Sequence, residues 1–391
     1  MFSKKSKYQA LTGAEAAAEA MRQINPEVVP VYPITPQTPI VERFAKFKAD
    51  GRVNTEVVTA ESEHSVMSIA VGAAAAGARV VTASSSAGLA LMYEILGVAS
   101  GLRLPILMNI ANRALSSPIN IHCDHSDSMG VRDSGWIQIY SENPQEVYDH
   151  NLLALMLAEA AILPAMVMQD GFITSHSVEN VELLPDAKVT SLLGNYRPAF
   201  SLLDADNPIT VGALQLTDYY FETKRQQVEA MRAAAVLYKE TALALSALTK
   251  REYPKIEKFN QKGAKRAVIV MSSTAGTAKA AALRFLEETG EKVAVLKIRL
   301  FLPFPKKELQ EAVKGLKRVA VLDRALSFGS GAPLLKEVKN ALFDLPKRPE
   351  VTSYVFGLGG REIFEDNIIS VFKDLGKNSK TNKENYIGLR E

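Results

Sequence analysis

Cysteine is nearly missing from this chain: one residue, Cys123, in 391. A single thiol cannot build an intramolecular disulfide framework, and it points to a reducing, cytoplasmic setting. Nor can it hold an iron–sulfur cluster by itself, since such clusters take about four thiolates. Charge of one sign is not in excess either, with 46 basic against 43 acidic residues and a net charge of +3. That balance gives no argument for nucleic acid or an anionic membrane as a partner. Long apolar runs are lacking too. The longest, residues 152–168, is interrupted by Glu159 and Pro164 and is too short to span a bilayer comfortably. The opening MFSKKSKYQA carries lysines with no apolar run behind them, so no signal peptide is expected there. The glycine-bearing loops 273–276 and 357–360 have neither a GxGxxG nor a P-loop framework, so they read as close-packing turns, with contact to a phosphate as the alternative. Internal repeats and low-complexity tracts are absent.

What is present is an apolar content of 47%, enough to bury the cores of two or three domains. Apolar strand-like runs alternate with helix-like segments, which predicts an α/β architecture with parallel sheets. A first helix opens at Thr12-Gly-Ala-Glu15, a capping box. A strand is expected at 28–32, a helix at 40–48, another beginning near Glu63, and a strand at 79–83. The loop 84–88 then leads to an apolar helix at 89–101. A strand at 105–111 ends at Arg113, and Asn143-Pro144 opens a helix that precedes a strand at 164–169. Residues 218–250 read as one long helix of the kind that bridges or wraps domains. The polar stretch 255–265, KIEKFNQKGAK, reads as a linker. Beyond it, strands at 267–271, 292–298, 318–322 and 351–356 alternate with helices, which predicts a compact doubly wound sheet. The expected division is therefore 1–240, a linker at 241–264, and 265–391.

The stretch 59–77, TAESEHSVMSIAVGAAAAG, places a carboxylate, Glu63, at the start of a helix of small residues. Such a thin helix lets a backbone or a flat ring come close, and Val66, Met67, Ala70 and Val71 supply apolar surroundings. Glutamates are also common in first turns because they complement the helix dipole, and Glu61 competes locally. The segment VYPITP at 31–36 leaves a strand at its carboxyl end, where open parallel sheets gather ligands. Thr35 there offers a hydroxyl, and the flanking prolines fix the loop. Arg113 stands at another strand exit and offers a planar fork suited to a carboxylate, or simply a solvated loop cation. The cluster His122-Cys123-Asp124-His125-x-Asp127 matches no common zinc spacing and reads as an ordered polar loop rather than a metal site.

Taken in order, these stretches carry more than any one alone. YPITP, ESEHSVMSIAVGAAAAG, SSSAGLALMYE, GLRLPILMNIANRALSSPINI, DSGWIQIYSENPQE and DGFITSH follow one another along the chain. With PFP at 303–305, GLGGR at 357–361 and IGLR at 387–390, they cover nearly its whole length. The chain resembles the α subunits of the 2-oxoacid:ferredoxin oxidoreductases, in particular the multi-subunit pyruvate-acting branch. The resemblance implies a thiamine-diphosphate pyrimidine-binding domain followed by a smaller domain like the transketolase C-terminal one. It implies that Glu63 contacts the aminopyrimidine ring, that Pro33 and Ile34 line it, and that Thr35 and Arg113 hold the 2-oxoacid. It further implies β, γ and δ-type partner subunits that carry the pyrophosphate site, the Mg²⁺ and the iron–sulfur clusters. Pyruvate, coenzyme A and ferredoxin would be the reactants, with neither nucleic acid nor membrane involved. A GDG-type pyrophosphate motif is absent, which argues against a stand-alone enzyme. Where the family usually has glutamine, this chain has Ala87. Use of another 2-oxoacid, or a scaffold role with a decayed site, are the competing readings.

Overall fold

The computed structural model describes residues 8–377 and 384–390. The lysine-bearing start at 1–7, read above as no signal peptide, lies outside the described residues, as do 378–383 and 391 of the expected second domain. Strand β1 (Tyr8–Thr12) leads to α1 (Gly13–Ile24), β2 (Val28–Val31), α2 (Thr38–Ala49), β3 (Glu56–Thr59) and α3 (Glu63–Ala75). Next come β4 (Val81–Ser84), α4 (Ser86–Leu91), α5 (Tyr93–Gly101), β5 (Leu107–Asn112), α6 (Ser126–Gly130) and β6 (Ile137–Tyr140). Then follow α7 (Pro144–Ala161), β7 (Ala165–Asp170), β8 (Val178–Glu182), α8 (Asp186–Leu193) and the long α9 (Tyr220–Thr249).

The sequence signals at the helix starts are realised. Thr12 Oγ1 accepts from Glu15 N at 3.1 Å while Glu15 Oε2 accepts from Thr12 N at 2.9 Å, the reciprocal pair that satisfies two first-turn donors. Asn143 Oδ1 accepts from Glu146 N at 2.9 Å with Pro144 in the first turn. Helix α9 buries a single narrow stripe, Ala230, Ala234, Tyr238, Ala242 and Leu245, at helical spacing, and leaves most of its other faces to solvent.

The main sheet of the first unit runs β12-β6-β7-β5-β4, where β12 (Leu300–Leu302) comes from later in the chain. Its strands β4, β5, β6 and β7 are mutually parallel. The parallel pair β2–β3 joins beside β4 through a bridge between Val28 and Val80. Strands β4 to β7 are buried at every position although Thr82, Asn109, Gln138 and Gln169 interrupt their apolar residues, and β6 is a strand that the sequence reading did not expect.

The rest of the chain forms β9 (Ile256–Phe259), β10 (Arg266–Val270), α10 (Thr274–Thr289), β11 (Val293–Ile298), β12 (Leu300–Leu302) and α11 (Lys306–Ala312). It ends with β13 (Arg318–Asp323), α12 (Pro333–Leu342), β14 (Glu350–Phe356), α13 (Glu365–Asp374) and β15 (Glu384–Ile387). The second sheet has the order β15-β14-β13-β10-β11-β9, parallel except for β9.

Two expectations change here. The stretch 241–264, expected as a linker, contains the last turns of α9 and the whole of β9, an edge strand paired antiparallel with β11. Nor is the break near 265 clean. Strand β12 crosses back to pair with β6, and one apolar core joins α3 and β5 to β10, β11 and α12. Polar contacts reinforce this seam. Lys297 and Arg299, both buried, reach Glu142, Glu146 and Glu257 with Nζ–Oε1 and Nη2–Oε1 distances to Glu146 of 2.7 Å each. Each charge thus has partners, as a buried ion requires. Among the described residues, no helix is long and apolar enough to cross a membrane.

Candidate active site

Because β2, β4, β5 and β7 run the same way, their carboxyl ends lie along one edge. That edge carries the 33–35 loop, the 84–88 loop, Arg113 and Asp170, and such edges are where open parallel sheets hold ligands.

Glu63 is the first residue of α3, which Ser62 caps by accepting from Ser65 N at 3.3 Å. Its side chain lies against Gly88 in the first turn of α4. A Cβ on Gly88 would fall 2.5 Å from Glu63 Oε1 and 2.8 Å from both Cγ and Cδ, so only glycine admits the carboxylate. Glu63 is 7% exposed, yet among the described residues its carboxylate has no hydrogen-bond or ion-pair partner. Its oxygens keep contact with solvent, so donors can reach them from outside the chain. Glu61, its local competitor, is exposed and accepts from Ser65 Oγ. Helix α3 keeps an open face as well: a Cβ at Gly72 would meet nothing within 4 Å. A carboxyl group with no partner among the described residues, beside a glycine cradle, suits a pyrimidine: ionised it accepts from the amino group, and protonated it donates to a ring nitrogen.

The loop after β2 brings Thr35 to Arg113. Arg113 Nη1 donates to the Thr35 carbonyl at 3.0 Å and its Nε to the Asn120 carbonyl at 3.1 Å. Nη2 and the exposed Thr35 hydroxyl have no partner among the described residues. Pro33 is exposed and Ile34 half-buried on the same loop. The buried Gln37 holds that loop in place: its Oε1 accepts from Ile34 N at 3.3 Å and its Nε2 donates to Ala83 O at 3.2 Å. Ala87 is exposed beside Gly88.

One buried carboxylate ties the two halves together. Asp127 Oδ2 accepts from Ser86 N and from Arg113 N, both at 3.0 Å. Its Oδ1 accepts from Asn112 Nδ2 at 2.8 Å and Ser128 N at 2.7 Å. Burial raises this carboxyl to about 6, against the pull of these donors. Ser86 and Ser85 add bonds from their hydroxyls to Ala114 O and Ala111 O, each 2.7 Å. Ser86 holds φ at 45°, a left-handed conformation that these bonds sustain.

The second sheet meets this edge at Asp170. Its Oδ1 accepts from His125 Nε2 at 2.8 Å and Ser272 Oγ at 2.7 Å. Its Oδ2 accepts from Arg324 Nη1 at 2.8 Å, Ser273 N at 3.2 Å and Ser273 Oγ. Burial opposes ionisation of Asp170, but Arg324 and His125 outweigh it and hold the carboxyl well below the usual range. Ser272, Ser273 and Arg324 follow β10 and β13, the neighbouring strands from which the sheet winds in opposite directions. That crevice ordinarily takes a ligand; here it takes a carboxylate of the first sheet. Cys123, His125 and Asp170 lie close enough to invite a metal, but Arg324 Nη1 stands 3.8 Å from Cys123 Sγ and fills the cation's place. Burial, joined by the Asp170 charge, pushes the Cys123 thiol well up, so it is no ready nucleophile.

Residues 19–242 match the family described as pyruvate flavodoxin/ferredoxin oxidoreductase, thiamine diphosphate-binding, and residues 264–368 match pyruvate:ferredoxin oxidoreductase core domain II. The chain is 53% identical to pyruvate synthase subunit PorA of Thermotoga maritima, over 98% of each chain. The chain belongs to the pyruvate:ferredoxin oxidoreductase family. Within that family it is 43% identical to PorA of Methanocaldococcus jannaschii, covering 97% of this chain and 98% of the relative. It is 41% identical to ketoisovalerate oxidoreductase subunit VorA of Pyrococcus abyssi, over 94% and 93% of the two chains. The fold is shared with a 2-oxoglutarate:ferredoxin oxidoreductase of Magnetococcus marinus at a TM-score of 0.74 and 20% identity, over 95% of this chain and 66% of that one. A split-gene transketolase superposes at 0.55, with 11% identity, over 94% of this chain and 98% of that one. The expected thiamine-diphosphate-binding α/β architecture thus stands.

Gln37 and the Asp170–Arg324 pair escaped the sequence reading. A signal existed for two of them: Asp170 and Arg324 both sit at strand exits, next to Gly171 and Asp323. Asp127 stands out in the sequence only as a member of the 122–127 polar cluster, and its spacing there does not mark it as the acceptor for Ser86 N and Arg113 N.

Proposed function

We propose that this chain is the α subunit of a thiamine-diphosphate-dependent pyruvate:ferredoxin oxidoreductase, which oxidatively decarboxylates pyruvate to acetyl-CoA and CO₂ and runs reversibly. The observation that carries the reading is the Glu63 carboxyl group, seated against Gly88 with no partner among the described residues. Thiamine diphosphate, when bound, supplies the electron sink that decarboxylation requires. Glu63 would hold a proton between its carboxylate and the aminopyrimidine, with Pro33 and Ile34 lining the ring. Arg113 would take the substrate carboxylate through its free Nη2, and the Thr35 hydroxyl would add a second bond. Because Nη1 and Nε are already committed to carbonyls, the fork is aimed before substrate arrives, which lowers the ordering cost of binding. These contacts orient the acid without gripping it so firmly that loss of CO₂ is opposed.

The remaining parts are assigned to β, γ and δ-type subunits: the pyrophosphate and Mg²⁺ site, the iron–sulfur clusters, and the path to ferredoxin. A single buried cysteine in this chain agrees with clusters held elsewhere and with a cytoplasmic setting. The test is to purify the chain with co-expressed partners and measure CoA-dependent reduction of a low-potential dye with a panel of 2-oxoacids. Reduction with pyruvate above all others is the expected result. Preference for 2-oxoisovalerate would move the chain to the activity named for its VorA relatives, and cluster-bearing complexes inert to every 2-oxoacid would overturn the reading.

A further inference from the structure

Arg113 is aimed partly from the second sheet. Its Nε bond goes to the carbonyl of Asn120, near the far end of a loop whose residues 116–119 are exposed and so do not fix it by packing. What fixes Asn120 is its side chain. Oδ1 accepts from His122 N at 2.7 Å, and Nδ2 donates to Gly359 O at 3.0 Å. Gly359 belongs to the turn Gly357-Leu-Gly-Gly360, which follows β14 of the other sheet. The same turn makes two more bonds to the loop. Gly360 N donates to Cys123 O at 2.6 Å and Gly359 N to Asp124 Oδ2 at 3.2 Å.

The glycines of this turn are required twice over. Gly359 and Gly360 have φ of 61° and 80°, which side chains rarely adopt. A Cβ on Gly359 would fall 2.3 Å from Asn120 Nδ2, and one on Gly360 would fall 2.3 Å from His122 Cβ. A turn needed only to reverse the chain would satisfy the first condition and not the second. This one is shaped to receive the 120–123 loop.

We propose that Asn120 is a positioning residue for 2-oxoacid binding, through which the Gly357–Gly360 turn sets the orientation of the Arg113 guanidinium. The inference rests on the role proposed above for Arg113. It gives the second sheet a part in substrate affinity through a contact made away from the Arg113 guanidinium.

Three variants test it: Asn120→Ala, Gly359→Ala, and the two combined. In the complex with its partner chains, each single variant is expected to raise KM for pyruvate by about tenfold, the scale on which small misplacements act, with kcat changed by less than about twofold. Thiamine-diphosphate affinity is expected to stay unchanged. The double variant is expected to be no worse than the worse single one, because both break the same contact. Hydrogen exchange on the full chain supplies a readout independent of turnover: peptides over 113–124 lose protection while those over 63–75 do not. An unchanged KM in both single variants of an active complex overturns the inference, as does a double variant whose effects multiply. If the wild-type complex turns over no 2-oxoacid, the functional reading has failed. Exchange then decides on the coupling alone, with unaltered protection at 113–124 in Gly359→Ala counting against it.

Discussion

The Cα of Gly88 forms the floor on which the Glu63 carboxylate rests: a Cβ there would approach Oε1 to 2.5 Å. Gly88→Ala is therefore expected to expel Glu63 from its seat. Alanine is the better helix former by about 1 kcal/mol, and Gly88 lies within α4, so loss of fold is not the expected cost. Thiamine-diphosphate titration of the apo-complex should show affinity weakened by at least about tenfold with the unfolding midpoint unchanged. Unaltered cofactor affinity would mean that the cradle has no part in the site.

The ion pair between Asp170 and Arg324 joins the two sheets in a buried setting, with side chains 0% and 3% exposed. Removing one partner of such a pair typically costs about 3–5 kcal/mol, because the other charge stays buried and alone. Arg324→Met should lower the stability of the chain by that order in urea. Adding Asp170→Asn should restore part of the loss, since the stranded charge is then gone. A double variant less stable than Arg324→Met would contradict this account of the seam.

Asp323 gives stability a distinctive pH dependence. Burial raises its carboxyl from 3.8 to about 7, although it accepts from Leu335 N at 3.0 Å at the start of α12. Between those two values the folded chain holds a proton that the unfolded chain has released. The contribution of this group is thus fully present below about 3.8 and is lost as pH rises through about 7. Asp323→Asn keeps an acceptor for the helix start and cannot ionise. Its stability relative to the wild type should improve by on the order of a few kcal/mol between about pH 4 and about pH 8. A difference that stays constant over that range would show that Asp323 does not titrate there.

Much of this was legible because burial in a parallel sheet leaves a plain trace. Strands β5 and β7 open on apolar residues and are buried throughout, and their ends mark where Arg113 and Asp170 stand. Strand β9 left no such trace. Ile256-Glu-Lys-Phe259 is an edge strand whose Glu257 and Lys258 face partners or solvent, and its composition is that of a linker. Among the described residues strands β1 and β8 pair only with each other, and each buries a single position, so they too lacked an apolar signature. Asp127 and Asn120 act through backbone groups brought together by loops, and sequence spacing does not encode such meetings.

The central claim is that Glu63 serves the cofactor. Glu63→Gln preserves shape and hydrogen-bonding capacity but cannot carry the carboxylate charge. Pyruvate- and CoA-dependent dye reduction by the co-purified complex should fall by at least about 10²-fold, the scale of a lost acid–base group, with assembly and cluster content intact. Turnover within about twofold of the wild type would contradict the assignment of this buried carboxylate to the active site.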